Sequence, residues 1–462
     1  MSSSQAGRDA RRNGHFALVA ALLVLPACSS EYGNATSPPP DANARVATLA
    51  ISALSDPVYA GDTARLVVVA HDAAGLVVDG VRAQWSLSDS TVASVDANGL
   101  LLGRGHGSVR VSATAGLGTA TMDVAVALTA EERRFAHVVL ADASPASGSR
   151  PAEQSNATGG GVLVSRTGTG EYVVTFERLA KVDSSFRETV LVTPVGTGGE
   201  RCHLQGWGNA ANGRDLDVSV RCFTFSGQRV DSRFSVLVVG SRSLASRLGF
   251  TLSGDASASF AAEADHSYSS FSHGVGITRS TAGSYVVQLD GAIDDTPQNY
   301  FVSTYGGPDD LCKVATWNRT VWASVTCYAP SGALSDARFS LLMLDRGRTG
   351  RRFGFAWANE PSASLGASYT PHLLYQRTSS GSPVRIEHIA TGTYRVQFPG
   401  LARIGGQTEV VQVSPFGGGL FSCEVQGWGN SADGSSLDAT VKCWNRGNAS
   451  PADTYFTILV LE

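Results

Sequence analysis

The feature that most constrains the fold of this chain is a domain-sized unit that occurs three times in its C-terminal part. Each copy contains Gly-x-Tyr followed by further strand-forming residues, at 170–174, 283–287 and 392–396. Each copy then has a cysteine, a tryptophan five residues later, a second cysteine and a closing apolar run that begins with phenylalanine. The period is too long for a propeller blade or a solenoid turn, so we expect each copy to be a domain. A six-bladed arrangement of half-units is the alternative.

Composition predicts the class of secondary structure. Charged residues make up 16 % of the 462 residues, against about 25 % in an average soluble domain. Glycine occurs 51 times, and valine, threonine and serine are abundant, which indicates many short strands joined by tight turns. We therefore expect an all-β protein. The formal net charge is −4. Proteins that bind nucleic acid usually carry an excess of basic residues on one surface, so we expect no nucleic-acid partner.

The seven cysteines divide into one near the N-terminus and three local pairs. Asn212-Gly213 and Asp433-Gly434 stand midway between the cysteines of two of these pairs, and such dipeptides favour tight hairpin turns. Opposed cysteines on a hairpin are close enough to bridge, and each bridge would stabilise the fold by roughly 3 kcal/mol. The expected disulfides are Cys202–Cys222, Cys312–Cys327 and Cys423–Cys443. No pair has the adjoining ligands of a zinc site, so we expect no metal.

The N-terminal residues have the pattern of an export signal. Arg8, Arg11 and Arg12 precede an apolar run over 16–25 that is too short to span a bilayer. The run leads into Leu-Pro-Ala-Cys at 25–28, which resembles the lipobox of bacterial lipoproteins.

This resemblance implies a lipid anchor. Residues 1–27 would be the signal peptide, Cys28 would be lipidated, and 28–45, with its prolines and serines, would be an extended tether. We therefore expect an exported protein whose partner is the bacterial membrane, at the outer membrane or cell surface. An ordinary secretory signal that is cut near Ala27 is the alternative.

The first folded unit is expected over 46–126. Runs rich in β-branched residues at 65–70 and 109–113 flank the segment around Trp85, with glycine-containing turn signals between them. The order of these features resembles the group 2 bacterial Ig-like domain, the intimin/invasin-like module. The resemblance implies a seven-stranded sandwich with Trp85 in its core. It also implies a spacer or adhesive unit of a cell surface, without catalytic residues.

The three copies of the repeat are bounded at about 131–241, 246–346 and 350–462. The repeat resembles only uncharacterised exported bacterial proteins, so this resemblance implies no function. The fold that we expect is an Ig-like sandwich followed by three tandem, disulfide-stapled domains of β-sandwich or barrel-like form.

The tryptophan that follows the first cysteine of each pair is the candidate binding residue. Because side chains alternate along a regular strand, Trp207, Trp317 and Trp428 would lie on the face opposite to the cysteines. Pairing the cysteines sets each tryptophan against a residue of the next strand, as Trp207–Asp217, Trp317–Trp322 and Trp428–Asp438. A flat aromatic ring can stack on a sugar, so we expect a carbohydrate or surface-protein ligand here. The candidate binding face comprises Trp207, Gln205, Asp217, Trp317, Trp322, Trp428, Gln426 and Asp438.

An alternative places these tryptophans in the core. Gly206 and Gly427 precede two of them directly, and glycine in a strand often marks a β-bulge. A bulge inserts one residue and so returns the following side chain to the buried face.

The expected function is non-catalytic. The sequence contains no Gly-x-Ser-x-Gly elbow, no His-Glu-x-x-His and no phosphate loop, so we expect neither catalytic residues nor a cofactor. We expect a cell-surface lipoprotein whose Ig-like module presents three β-domains for adhesion or for glycan or matrix binding. The alternatives are a secreted hydrolase with an accessory Ig-like domain, or a pure structural spacer.

Overall fold

The computed structural model describes residues 41–53, 58–59, 62–104, 107–127, 133–181, 186–244, 247–256, 260–262, 264–270, 274–289, 297–307, 309–318, 322–345 and 351–462. The expected signal peptide, Cys28 and most of the expected tether lie outside these residues. Three short 3-10 helices occur in the described part, at Ala42–Arg45, Ala264–His266 and Leu373–Tyr375.

The first unit is a sandwich of two four-stranded sheets. Its strands in the described residues are β1 (Thr48–Ala53), β2 (Val58–Tyr59), β3 (Thr63–His71), β4 (Gln84–Leu87), β5 (Ala93–Val95), β6 (Leu100–Gly103), β7 (Gly107–Ala115) and β8 (Gly118–Ala127). The sheet orders are β1-β3-β6-β5 and β2-β8-β7-β4. Alternate side chains such as Leu66, Val109 and Val111 are buried between the sheets, because the period of a strand is two. Trp85 is half-buried and packs against this core.

The remainder of the chain contains the strands of the three repeats. The first repeat contains β9 (Phe135–Leu140), β10 (Glu153–Asn156), β11 (Val162–Gly168), β12 (Glu171–Phe176), β13 (Glu188–Val195), β14 (Arg201–Asn209), β15 (Leu216–Phe223) and β16 (Arg233–Gly240). The second contains β17 (Leu248–Leu252), β18 (Phe260–Ala261), β19 (Tyr268–Ser269), β20 (Val275–Thr281), β21 (Ser284–Leu289), β22 (Gln298–Tyr305), β23 (Leu311–Trp317), β24 (Trp322–Tyr328) and β25 (Arg338–Asp345). The third contains β26 (Phe353–Ala358), β27 (Ser368–Tyr369), β28 (Gln376–Thr378), β29 (Arg385–Ala390), β30 (Thr393–Pro399), β31 (Val410–Pro415), β32 (Phe421–Asn430), β33 (Ser436–Asn445), β34 (Ser450–Pro451) and β35 (Phe456–Leu461).

Each repeat builds two facing sheets. The inner sheets have the orders β9-β16-β13, β17-β25-β22 and β26-β35-β31. The outer sheets have the orders β11-β12-β15-β14, β20-β21-β24-β23 and β29-β30-β33-β32. Each pair of sheets encloses a hydrophobic core of its own. The expected all-β fold with sandwich-like repeats is therefore confirmed.

The repeats are joined edge to edge in a closed ring. The inner sheet of each repeat continues into the outer sheet of another through one short parallel pairing. The paired residues are Val195 with Val425, Leu204 with Tyr305, and Val314 with Phe416. These residues occupy equivalent positions, so the three repeats are related by pseudo-threefold symmetry. We call this assembly the three-repeat ring.

A cyclic set of hydrogen bonds surrounds the pseudo-threefold axis. One buried hydroxyl from each inner sheet accepts a bond of 2.9–3.0 Å from the backbone N–H of a valine in another repeat. The pairs are Val192 N to Ser303 Oγ, Val302 N to Ser414 Oγ, and Val413 N to Thr193 Oγ1. We call these three side chains the hydroxyl ring.

The inner strands are buried on both faces. On β16, Val236 and Val238 face the core of the first repeat, whereas Leu237 and Val239 face a further core that all three repeats share. The shared core consists of Phe135, Leu191, Leu237, Val239, Leu244, Leu248, Phe250, Phe301, Leu342, Leu344, Phe353, Phe355, Val410, Leu459 and Leu461. The sequence predicts tandem domains, and the structure shows sandwiches that are not independent because they share sheets and this core. The residue boundaries themselves stay predictions.

The recurring Gly-x-Tyr pattern forms a hydrogen-bonded corner with an aspartate. In the third repeat the Gly392 N–H donates to Asp453 Oδ1 at 2.6 Å, and the Tyr394 hydroxyl lies 3.3 Å from the same oxygen. Equivalent glycine-to-aspartate bonds join Gly170 to Asp231 and Gly283 to Asp336. The corner ties the start of one outer strand to the segment before the closing inner strand.

Alanine at Gly392 is expected to destabilise the protein by about 2–5 kcal/mol, because it adds crowding to a disfavoured backbone conformation. Gly392 has φ +66°, and a Cβ there would lie 2.5 Å from the Cys443 carbonyl oxygen and 2.7 Å from the Ala452 nitrogen. Gly434 is the matched control, since it has φ +68° and a Cβ there would meet nothing within 4 Å. Gly434→Ala should cost only about 1–2 kcal/mol in urea unfolding. Equal costs would contradict the crowding argument.

Candidate functional site

Three disulfides close the base of the outer-sheet hairpins. They are Cys202–Cys222, Cys312–Cys327 and Cys423–Cys443, with Cα–Cα distances of 4.0, 4.0 and 4.1 Å. All six cysteines are buried and face the core of their own repeat. The connectivity expected from the sequence is confirmed.

A β-bulge follows the first cysteine of every pair and changes the expected position of the tryptophans. The register shifts between Leu204 and Gly206, between Val314 and Thr316, and between Val425 and Gly427. The tryptophans therefore pair one position later than a regular strand predicts, as Trp207–Val218, Trp317–Ala323 and Trp428–Ala439. The expectation that they lie opposite Asp217, Trp322 and Asp438 on a solvent face is wrong, and the bulge alternative is correct.

The bulge divides the expected binding face into two groups. Asp217, Trp322 and Asp438 are half-buried and alternate with core residues of their strands. Asp217 Oδ1 accepts a 2.6 Å bond from Thr175 Oγ1, and Asp438 Oδ1 accepts one of 2.6 Å from Ser436 Oγ.

The tryptophans belong to the other group. Trp207 and Trp428 pack against the cores of their repeats. Gln205 and Gln426 occupy the inserted bulge positions between the two groups, so the eight candidate residues do not form one surface.

Two of the tryptophans lie at junctions between repeats. The Trp207 ring centroid is 5.4 Å from that of Tyr305 and 5.2 Å from that of His266, both in the second repeat. Trp317 makes the equivalent contact with Phe416 of the third repeat, at 4.7 Å. A recurring tryptophan thus covers the edge where one sheet continues into the next.

The junction between the second and third repeats carries additional aromatic residues. The ring centroid of Trp357 is 5.3 Å from that of Trp317 and 4.9 Å from that of Tyr375. The ring of Tyr455 is stacked on that of Trp357, with a centroid distance of 6.0 Å. We call Trp317, Trp357, Tyr375, Phe416 and Tyr455 the aromatic cluster. Tyr455 is 41 % exposed, and the other four side chains are half-buried.

The repeat pattern does not require this aromatic content. Trp357 pairs with Thr457 of the closing strand. The positions equivalent to Trp357 in the first and second repeats hold Val139 and Leu252. Tyr455 directly precedes the closing strand, where the other repeats have Arg233 and Arg338. Sequence reasoning missed these residues because it considered mainly what the three copies share.

A buried ionisable residue follows the first cysteine in every repeat. These residues are His203, Lys313 and Glu424, and each lies near an aromatic side chain of the paired strand. Burial lowers the pKa of His203 well below its usual value and lowers that of Lys313 to about 7. Burial raises the pKa of Glu424 to about 7. The pattern was visible in the sequence as an ionisable residue after each of these cysteines.

Glu424 and Lys313 nevertheless each have hydrogen-bond partners of their own. Glu424 Oε1 accepts bonds from Trp444 Nε1 at 2.8 Å and from the backbone N–H of Gly199 at 3.0 Å. Lys313 Nζ donates to the Gly418 carbonyl oxygen at 2.9 Å. Since Gly199 and Gly418 belong to other repeats than their partners, these side chains also connect the repeats.

Two further findings concern the described ranges alone. No group of three or more histidine, cysteine, aspartate or glutamate side chains there is placed to hold a metal ion. No helix in that part of the chain is long and apolar enough to cross a bilayer.

No protein-family model and no curated protein sequence matches the chain. Among solved structures, domains 4 and 5 of the S-layer protein SbsC match with 15 % identity and a TM-score of 0.19, over 43 % of this chain and 96 % of that one. The S-layer protein rSbsC(31-844) matches with 13 % identity and a TM-score of 0.20, over 61 % of this chain and 36 % of that one. Invasin, a bacterial integrin-binding protein, matches with 10 % identity and a TM-score of 0.17, over 76 % of each chain. Similarities at these scores assign no function.

Proposed function

We propose that this chain is a lipid-anchored, non-catalytic protein of the bacterial cell surface that binds carbohydrate through the aromatic cluster. The sequence around Cys28 supports the anchor, since it resembles a lipobox. Three disulfides support an exported location, because such bonds persist in oxidising compartments. The Ig-like unit stands between anchor and ring in the sequence, where a spacer would be.

A non-catalytic role is supported by how the shared residues are used. The glycine, tyrosine and aspartate of each copy form the hydrogen-bonded corner. The cysteines staple the hairpins, and the tryptophans pack at cores and junctions. The shared residues thus have structural roles, whereas a hydrolase would need reactive side chains gathered in one site. A pure spacer would differ from the proposed protein in binding no carbohydrate.

The aromatic cluster is the observation that carries the carbohydrate proposal. Flat apolar ring faces pack against the C–H faces of a sugar, while hydroxyl and indole N–H groups hydrogen-bond to its hydroxyls. Tyr455 is the most exposed ring, and Leu373, 71 % exposed, stands two residues before Tyr375. The cluster contains neither an acidic nor a basic residue that could pair with a charged sugar, which favours a neutral saccharide over a charged one.

Serine at Cys28 is expected to move the protein from the membrane fraction to the soluble fraction, because the thiol is the lipid attachment point. The measurement is fractionation after metabolic labelling with a fatty acid. Wild-type protein should carry the label and Cys28→Ser should not. An unlabelled wild type would rule out the anchor and leave the ordinary secretory signal.

Alanine at Tyr455 is expected to weaken binding of a neutral oligosaccharide about two- to tenfold, the loss of one stacked ring. The soluble Cys28→Ser protein is screened on an array of neutral and acidic glycans, and hits are titrated with Tyr455→Ala. Arg233→Ala, at the equivalent position of the first repeat, is the matched control and should bind as the parent does. No glycan binding by the parent, or equal binding by Tyr455→Ala, would contradict the proposal.

A further inference from the structure

Two carboxyl groups approach each other at the junction where the third repeat meets the first. Glu424 lies on β32 of the third repeat, and Glu200 lies in the loop before β14 of the first repeat. A Cβ atom added to Gly196 of this loop would lie 3.4 Å from Oε2 of Glu200 and 3.5 Å from Oε2 of Glu424. No other heavy atom of the described residues, Gly196 and its chain neighbours apart, comes within 4 Å of that position. Two carboxylate oxygens from different repeats therefore border one small space.

The carboxyl group of Glu424 lacks a partner on the side of this space. The residue is 1 % exposed. Its Oε1 accepts the bonds from Trp444 and Gly199 described above, whereas its Oε2 has no hydrogen-bond partner among the described residues. A buried carboxylate without a full set of partners is costly, because it has lost its hydration. This oxygen therefore needs a proton or a cation.

No basic side chain of the described residues compensates for the two acidic groups. Lys442 pairs with Glu424 across the strands, but its ammonium lies over the ring of Trp444. The ion pairs among the described residues include neither Glu200 nor Glu424 nor Lys442. Glu200 is half-buried, so water screens its charge only in part.

The equivalent junction between the second and third repeats has groups that suit each other. Lys313 has the position of Glu424 there, and Phe421 has the position of Glu200. The Lys313 ammonium lies 5.4 Å from the centroid of the Phe421 ring and donates to the carbonyl oxygen of Gly418 in the loop before it. A side-chain cation thus occupies that junction, whereas the junction of the third and first repeats has carboxyl groups at both positions.

We infer that this carboxylate pair binds one divalent cation, of the calcium type, between Oε2 of Glu200 and Oε2 of Glu424. Hard cations prefer oxygen ligands, and calcium combines carboxylates with backbone carbonyl oxygens and water in variable geometry. The expectation of no metal concerned cysteine and histidine ligands, which zinc prefers and calcium does not need.

The cation connects two repeats that are not consecutive in the chain. The strands of this junction share one parallel pairing, Val195 with Val425, and the loop adds the bond from Gly199 to Glu424. A bridge between the two carboxylates removes their repulsion and adds a link beside these bonds. Calcium therefore stabilises the closed form of the three-repeat ring, independently of carbohydrate binding at the aromatic cluster.

Terbium is the probe for this site, because it takes the same oxygen ligands as calcium and emits light when a nearby indole transfers energy to it. Trp444 is such an indole, since its Nε1 lies 2.8 Å from Oε1 of Glu424. The full chain with Cys28→Ser is freed of metal by a chelator and titrated with terbium at pH 8. Burial raises the pKa of Glu424 to about 7, so a proton competes only weakly at that pH. The emission should saturate, and calcium should displace it.

Three variants locate the site. Glu200→Gln removes one charge and should weaken terbium binding more than about tenfold, since affinity depends on the number of charged ligands. Gly196→Ala keeps both carboxylates but places a methyl group in the space that they border, so it should weaken binding similarly. Asp310→Asn, at the position of the second repeat equivalent to Glu200, is the matched control and should bind as the parent does.

Thermal unfolding at constant ionic strength gives a second readout. Calcium should raise the Tm of the parent along a saturating curve, because it binds the native state. Glu200→Gln should be at least as stable as the parent in chelator, since it removes a repulsion, and should gain nothing from calcium. This reversal distinguishes a lost site from poor folding.

Two results would overturn the inference. One is a parent protein whose Tm does not respond to calcium, which would mean that the buried carboxyl group holds a proton instead. The other is equal terbium affinity in the parent, Glu200→Gln and Gly196→Ala, which would mean that the ion binds elsewhere.

Discussion

Replacing Phe301 with alanine is expected to destabilise all three repeats together, by about 3–5 kcal/mol. Phe301 is fully buried in the shared core, which also contains Phe135 of the first repeat and Phe355 of the third. Removal of the ring leaves a cavity in a core to which all three repeats contribute, so the cost falls on the whole ring. Urea unfolding gives the loss in free energy. Hydrogen exchange measured on peptides from β13, β25 and β35 shows which repeats open.

The expected pattern is a parallel loss of protection in the three inner sheets. Leu365→Ala, at a side chain that is largely exposed, is the control and should change stability by less than about 0.5 kcal/mol. Loss of protection confined to β25 would mean that the second repeat opens alone. The shared core would then not couple the repeats.

The local parts of the fold were accessible from the sequence because their signals are local. Strand periodicity, the Asn212-Gly213 turn and the spacing of the cysteines each concern residues that are neighbours on one hairpin. The hairpin geometry then determines which cysteines can bridge. These features led to the confirmed disulfides and the confirmed all-β class.

The closure of the ring could not be derived in the same way. Each junction depends on a single parallel pairing, such as Val195 with Val425, between residues far apart in the chain. One signal was nevertheless present. The closing run over 234–239 is apolar at nearly every position, which is typical of a strand that is buried on both faces. An isolated two-sheet domain would expose one of those faces.

The position of the tryptophans illustrates how one residue reverses a prediction. A shift of one position moves every following side chain of a strand to the other face. Gly206 and Gly427 indicated the bulge in two repeats, but the second repeat has Ala315-Thr316 there and bulges at the same point. The bulge is therefore a property of the shared backbone, and the sequence of one copy cannot establish it.

Methionine at Lys313 is expected to stabilise the protein by about 2–4 kcal/mol at pH 6. The lysine side chain is fully buried, and its ammonium has one carbonyl acceptor and the rings of Tyr328 and Phe421 at 5.6 and 5.4 Å. These contacts do not replace the lost hydration, since burial lowers the pKa of Lys313 to about 7. Methionine is a linear apolar side chain that can fill the same space without a charge.

The gain depends on pH in a defined direction. In the unfolded chain the lysine pKa is 10.5, so between about pH 7 and 10.5 the unfolded state holds a proton that the folded state has released. Stability of the wild type therefore rises with pH across this interval. Below pH 7 the folded protein carries the buried ammonium, and the advantage of Lys313→Met is largest. The difference between variant and wild type should shrink as the pH is raised from 6 to 9.

Lys442 provides the matched control for this experiment. Its side chain is half-buried, and its ammonium lies 4.3 Å from the centroid of the Trp444 ring on the second strand of the equivalent hairpin. Because its ammonium can remain hydrated, Lys442→Met should change the free energy of unfolding by less than about 0.5 kcal/mol at both pH values. Urea unfolding of the three proteins at pH 6 and pH 9 provides the comparison. A Lys313→Met variant that is less stable than wild type at pH 6 would show that the Gly418 bond and the two rings hold the ammonium at a net gain.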